Sequence, residues 1–353
     1  MTQPILIITQ TFPPRLGGME LVMQTLAQRF GSNDHQVQVL TDHQAPSSNF
    51  YNATHIHAPK LIRSWCKRLL AKGFLTHDSI VICDSWKSMN AVPRDARNII
   101  LLAHGQEYLN KQSKSPKIRA ALDRARLIIA SSDATAKLVM QFAPHQDHKI
   151  HVIAPTYMLK LQPPRKQDDS IFQILSLTRL EKRKGLAQSM EALAHIQDKL
   201  PAYQWHIAGN GPERTALEEQ ARRLGLEGHV VFHGHVDEAN KQKLLAATDL
   251  FLMPSYQEGN SLEGFGIVYA EAASYAIPSV GGMAGGAREA VLDGTTGWSV
   301  DGSSSMAIAK ALQSAILDDD ERVKRGRQAQ QYFAEKFDGN VCFDRFYHLA
   351  KSL

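Results

Sequence analysis

The sequence is poor in the residues that staple a chain together. Three cysteines stand among 353 residues, Cys66, Cys83 and Cys342, widely spaced and without a C-x-x-C pair. That excludes a disulfide framework and a thiolate zinc site, so reduced thiols used for packing are expected. The N-terminal region opens with the four-residue apolar run Ile5–Ile8 and carries no basic leader, so neither a secretory signal nor a spanning helix is supported. The expected location is the cytoplasm. His233-Gly234-His235, His55-Ile56-His57 and Asp318-Asp319-Asp320 lack the spacing of a credible ligand set, and no metal cofactor is expected. The aspartates read instead as a charge cluster at a helix start. With a net charge of +5 and neither a recognition motif nor aromatic-basic interleaving, nucleic acid is not an expected partner.

What the chain has is a composition 43% hydrophobic and 21% charged, globular and long enough for two cored domains. Apolar runs at Ile5–Thr9, Gln36–Thr41, Ser79–Asp84, Asn98–His104 and Leu127–Ser131 alternate with helical or polar segments, the pattern of a parallel α/β sheet. Pro155–Ser170, with Pro155, Pro163 and Pro164, reads as a linker, and Ile171–Leu177 opens a second α/β series. The expected division is 1–160, 161–337 and a terminal helical piece over 338–353.

The chemistry concentrates in Phe251–Gly297, read as strand, loop, helix, strand, loop and helix. Glu263 lies in the first loop and Glu271 inside the following helix, an E-x(7)-E spacing. Between them Gly264, Phe265, Gly266 and Ile267 form a helix start, where unpaired N–H groups attract an anion such as a pyrophosphate. After the strand Ile277–Val280, Gly281, Gly282, Gly285 and Gly286 precede a helix near Arg288. Four glycines so close together suggest either backbone approach to a ligand or a flexible turn.

Other strand exits carry related features. Gly17 and Gly18 follow the first strand, either approaching a phosphate or making plain turn chemistry. Gly209-Asn210-Gly211-Pro212 and the Gly234-His235-Val236 segment are expected to line a nucleotide. His104 ends a strand in AHGQEY, where the carboxyl edge points it into the crevice, although a lone histidine is commonly structural. Arg179 and Lys184 crowd the exit of Ile171–Leu177. Such a pair either stabilises a diphosphate leaving group or belongs to a solvated basic loop.

Lys60–Gly73 has five cations, Lys60, Arg63, Lys67, Arg68 and Lys72, with no acid, while Leu61, Trp65 and Leu69 repeat every four residues. A second basic run includes Lys111, Lys114, Lys117 and Arg119. The first is a basic amphipathic helix, and it admits two uses: an apolar face in the core, or docking on an anionic membrane surface.

Taken together, F-P-P-x-x-G-G, H-G-x-E, R-L with K-G, strand-G-x-G-P, E-x(7)-E and G-G-x-x-G-G resemble the retaining glycosyltransferases of family 4 over nearly the whole chain. The resemblance implies the GT-B fold, two Rossmann-like domains with parallel sheets facing across a cleft and a terminal helix crossing back to the first. It implies that His104 and Glu263 face the transferred sugar, that Arg179 and Lys184 hold the phosphates, and that Glu271 holds the ribose. It also implies a glycan or lipid-linked acceptor at the inner face of the cytoplasmic membrane, as in cell-envelope polysaccharide synthesis. The wording L-E-G-F-G-I-V-Y-A-E-A resembles the phosphatidylinositol mannosyltransferase branch, which implies GDP-mannose as donor. Tyr275, where a Cys or Gly is usual, and a short acceptor domain depart from that branch. The alternative is a nucleotide-sugar-binding scaffold that no longer transfers. Retention of Glu263, Glu271, Arg179, Lys184 and His104 favours the enzyme.

Overall fold

The structure, a computed structural model, describes residues 2–15, 17–163 and 171–353. It divides into two compact units, one running up to Met158 and taking in Gly339–Leu353, the other running from Leu159 to Asp338. The expected linker is irregular chain up to residue 163, and its remainder, 164–170, lies outside the described residues.

The first unit runs β1 (Ile5–Ile8), α1 (Gly18–Ser32), β2 (Val37–Thr41), β3 (Asn52–His55), α2 (Lys60–Phe74), β4 (Ile80–Cys83), β5 (Asn98–Ala103), α3 (Ser115–Arg124), β6 (Leu127–Ala130), α4 (Asp133–Met140) and β7 (Ile150–Val152). Among the described residues its strands form one sheet ordered β3-β2-β1-β4-β5-β6-β7, parallel throughout. β1, β4 and β5 read ILII, IVIC and NIILLA, and every residue in them is buried. Strands covered by helices on both faces carry such continuous apolar runs, which is why they are plain in the sequence. The two edge strands, β3 (NATH) and β7 (IHV), are half-wetted and carry no such run. Strand order reverses between β1 and β4, the place where an open α/β sheet forms its ligand crevice.

The second unit runs β8 (Phe172–Leu177), α5 (Leu186–Ile196), β9 (Tyr203–Ala208), α6 (Arg214–Arg223), β10 (Val230–Gly234), α7 (Glu238–Ala247), β11 (Leu250–Met253), α8 (Ile267–Ser274), β12 (Ser279–Gly282), α9 (Ala287–Ala290), β13 (Gly297–Val300), α10 (Ser305–Leu317) and α11 (Asp319–Lys336). Its sheet, again parallel, is ordered β10-β9-β8-β11-β12-β13 and reverses between β8 and β11. Trp205 anchors this core, fully buried, with its indole N–H donating to Ser176 Oγ at 2.9 Å. β12 starts two residues later than its apolar run suggests, so Gly281 and Gly282 end the strand instead of starting the loop. Asp318 caps α11, its carboxylate accepting the Glu321 amide at 3.0 Å.

The chain ends in α12 (Gly339–Lys351), which Gly339 begins and which belongs to the first unit. Phe343 and Phe346 pack edge-on against Phe30 at 5.5 and 6.0 Å, and the Tyr347 hydroxyl bonds His35 Nε2 at 2.9 Å. Among the described residues no helix is long and apolar enough to cross a membrane.

Candidate active site

After β8 the chain makes a short 3-10 turn, Lys182–Lys184, and leaves it through Gly185 at φ 72°. That left-handed geometry favours glycine, and a Cβ there would also overlap the carbonyl of Pro254. The turn aims its cations differently from the simple sequence expectation. Arg183 and Lys184 point inward, their side chains 10% and 8% exposed, whereas Arg179 is 71% exposed and bonds Glu181 at 3.2 Å. Arg183, not Arg179, is therefore the guanidinium brought to Lys184.

Both inward cations meet Glu263, in the loop between β11 and α8. Arg183 Nη1 lies 2.9 Å and Lys184 Nζ 2.5 Å from the same carboxylate oxygen. Glu181 holds the other side of Arg183 at 3.1 Å, so three cations face two carboxylates and the cluster keeps a positive surplus. Burial alone would raise the Glu263 carboxyl, but attraction from Lys184 and Arg183 outweighs it and holds the group down at about 2. Burial pulls Lys184 below its usual value, with Arg183 adding to the effect and Glu263 opposing it. The cluster is thus an ionised carboxylate holding two desolvated cations across the β8/β11 reversal.

Glu271 lies on α8, nearly buried, and accepts from Lys241 Nζ on α7 at 2.5 Å. Burial would lower Lys241, yet Glu271 and Glu238 more than offset this and leave it raised. The bond uses one Glu271 oxygen, and the other has no partner among the described residues. Of the helix-start residues, Phe265 is buried with its ring 5.0 Å from that of Phe337, so it has only backbone to offer a ligand. Gly266 caps α8 at φ 84° and Ile267 begins it, and the first amides of the helix have no partner within it.

The glycines have a cause that the sequence did not reveal. A Cβ on Gly285 or Gly286 would overlap the carbonyls of Glu263 and Gly264, and the Gly286 amide donates to Glu263 O at 3.0 Å. The second glycine loop thus clamps the backbone that carries Glu263, where the sequence had suggested ligand approach or a flexible turn. Gly209, at φ 137°, would overlap Thr178, and its amide donates to Gly234 O at 2.7 Å. Gly211 likewise approaches Leu180 closely, and Val236 stands half-buried just past β10. Three strand exits are tied together beside the Arg183 turn.

In the first unit His104 follows β5. Its amide donates to Glu107 Oε1 at 2.7 Å, and its Nε2 lies 3.0 Å from Asp84 O. A carbonyl only accepts, so Nε2 is the donor of that bond, and Nδ1 is buried with no hydrogen-bond partner among the described residues. Asp84 escaped the sequence reading although it is a buried carboxylate directly after an apolar strand. Its side chain accepts from Thr9 Oγ1 at 2.8 Å and the Gln10 amide at 2.7 Å, organising the loop that leads to Gly17 and Gly18. Gly17 is extended, a conformation open to any residue, and Gly18 begins α1. α2 overturns one of its two uses: Leu61 is 98% and Trp65 59% exposed, with Leu69 exposed too, while Lys67 is 2% exposed. The apolar face is not in the core. Among the described residues no group of three or more His, Cys, Asp or Glu side chains could hold a metal ion.

Comparison with known proteins gives two family matches. Residues 16–157 match the family described as Glycosyltransferase Family 4, and residues 160–332 match Glycosyl transferases group 1. The chain is similar to the GDP-mannose-dependent alpha-(1-6)-phosphatidylinositol monomannoside mannosyltransferase of Mycolicibacterium smegmatis, 27% identical with 89% of each chain covered. Among solved structures, Anabaena HepE in complex with UDP and glucose matches at TM-score 0.78 and 20% identity, covering 99% of this chain and all of that one. Sucrose-phosphate synthase from Thermosynechococcus elongatus matches at TM-score 0.80 and 17% identity, over 99% and 98% of the two chains. These likenesses assign two parallel-sheet, Rossmann-like domains of the GT-B fold.

Proposed function

The chain belongs to glycosyltransferase family 4, and on that premise we propose that it transfers a hexose from a nucleoside-diphosphate sugar to a glycan or glycolipid acceptor with retention of the anomer. The observation that carries this is the Arg183–Lys184–Glu263 cluster. As the sugar departs, negative charge grows on the diphosphate, and preorganised cations stabilise it without waiting for solvent or an ion to rearrange. Arg183 and Lys184 supply that charge in a desolvated setting, with Arg179 at the rim. On this basis transfer is metal-independent. Glu263 holds the two cations until the diphosphate takes them, then accepts hydrogen bonds from the sugar hydroxyls. The Glu271 oxygen that has no partner among the described residues accepts from the ribose diol, and Nδ1 of His104 meets a sugar hydroxyl.

GDP-mannose is the proposed donor, because the relative whose printed name specifies it aligns over 89% of this chain. Isothermal calorimetry tests this: GDP is expected to bind more tightly than UDP. Tighter UDP binding would overturn the choice of base, and binding of neither would overturn the donor site itself.

The exposed apolar stripe of α2, with Arg68 and Lys72 beside it, supports docking on an anionic membrane surface that presents a lipid-linked acceptor. The enzyme on this reading works at the inner face of the cytoplasmic membrane.

A further inference from the structure

The donor chemistry leaves one group of cations in the first unit unused. A cavity of about 250 Å³ opens where β1, β2 and β4 end, at the β1/β4 reversal of the sheet. Lys60, Arg63, Lys67 and Lys87 line it against the single carboxylate of Asp42. Asp84 lies close enough for its field to reach Lys67, yet counting it still leaves a surplus of two positive charges.

Each cation has donors to spare. Lys67 sits at the buried base, its ammonium 2.5 Å from Asp42 Oδ1 and donating to Thr9 O at 2.6 Å. An ammonium has three N–H donors, and the third has no partner among the described residues. Arg63 reaches Ala58 O at 3.0 Å and Asp42 at 3.4 Å, leaving part of its fork unused. Among the described residues the Lys60 ammonium has no ion pair or hydrogen bond, and the Lys87 ammonium merely lies 5.9 Å over the Trp86 ring. Burial holds Lys67 below its usual basicity and Asp42 offsets part of that, so an added anion would be stabilised by a poorly solvated charge. At about 30 Å³ per water, the cavity holds roughly eight waters or a phosphate with its first linked atoms.

The wall of this cavity is α2. Lys60, Arg63 and Lys67 share one face of that helix, and Leu61, Trp65 and Leu69 fall on the opposite one. We propose that this cavity is a phosphoester-binding subsite that recognises an anionic acceptor by its phosphate, apart from the phosphates of the donor. The acceptor role rests on the transferase reading above, whereas the anion site rests on the cavity alone.

The test uses the full chain and three probes: inorganic phosphate, sn-glycerol 3-phosphate, and vesicles of phosphatidylglycerol. Calorimetry should show glycerol 3-phosphate binding in the presence of saturating GDP. The double variant Lys60→Ala/Lys87→Ala, which removes no hydrogen bond from the fold, should weaken that binding at least about tenfold while GDP affinity stays at the wild-type value. Competition of glycerol 3-phosphate with vesicle binding would identify a lipid headgroup as the source. Binding of the soluble phosphoester without competition would identify a soluble acceptor, and either result supports the site. No phosphoester binding by wild-type protein that binds GDP, or undiminished binding in the double variant, would overturn it. Phosphoester binding by a protein that binds neither GDP nor UDP would leave this site standing and remove the donor reading instead.

Discussion

At the scale of single residues, the account turns on which cations face the leaving group. Arg183→Ala and Lys184→Ala should each lower kcat by about a hundredfold or more, around 3 kcal/mol, with circular dichroism unchanged, because each removes a preorganised charge. Arg179→Ala, at a side chain 71% exposed, should cost clearly less. A larger loss at Arg179 than at Arg183 would reverse that order. Acid stability follows from Glu263, whose carboxyl is held at about 2 against an ordinary 4.5. A depressed folded-state value stabilises the protein above about 4.5, and that stability drains as pH falls toward 2. Wild-type protein should therefore lose on the order of 3 kcal/mol more than Glu263→Gln across that window, read from urea melts at several pH values. Identical pH slopes would remove the assignment. Lys184, Glu263 and Glu271 were legible as candidates because motif spacing marks them. Arg183 was not, since in Arg179–Lys184 every cation looks alike until the 3-10 turn decides which ones face inward. Asp84 went unremarked because its role depends on Thr9 and Gln10, 75 and 74 positions away.

At the scale of elements, buried strands announce themselves and edges do not. ILII, IVIC and NIILLA are readable because covered parallel strands have no wet face, while NATH at the sheet edge looks like loop. Helix α2 shows the other limit of pattern. Its apolar stripe implies burial somewhere, but amphipathic periodicity alone does not say which face meets the fold, and here Lys67 goes inward while Leu61 and Trp65 stay out. Leu61→Asp with Trp65→Asp should abolish sedimentation with phosphatidylglycerol vesicles. The same change should leave the melting temperature within a few degrees, because neither side chain is buried. Unchanged vesicle binding would remove the docking surface.

At the scale of the whole molecule, two parallel sheets each present a reversal of strand order, and each reversal collects charged or histidine side chains at the carboxyl ends of its strands. The division into two α/β units was legible from the alternation of elements. The reason for the glycines was not, because Gly285 and Gly286 answer to the backbone of Glu263 and Gly264, a contact made only on folding. The most direct measurement of the central claim is nucleoside-diphosphate release from GDP-mannose and a panel of UDP-sugars, with a phosphoglycolipid acceptor and EDTA present throughout. The account predicts acceptor-dependent release in EDTA, unchanged by added magnesium and lost in folded Lys184→Ala. Release that requires magnesium, or that persists in Lys184→Ala at the wild-type rate, would contradict it.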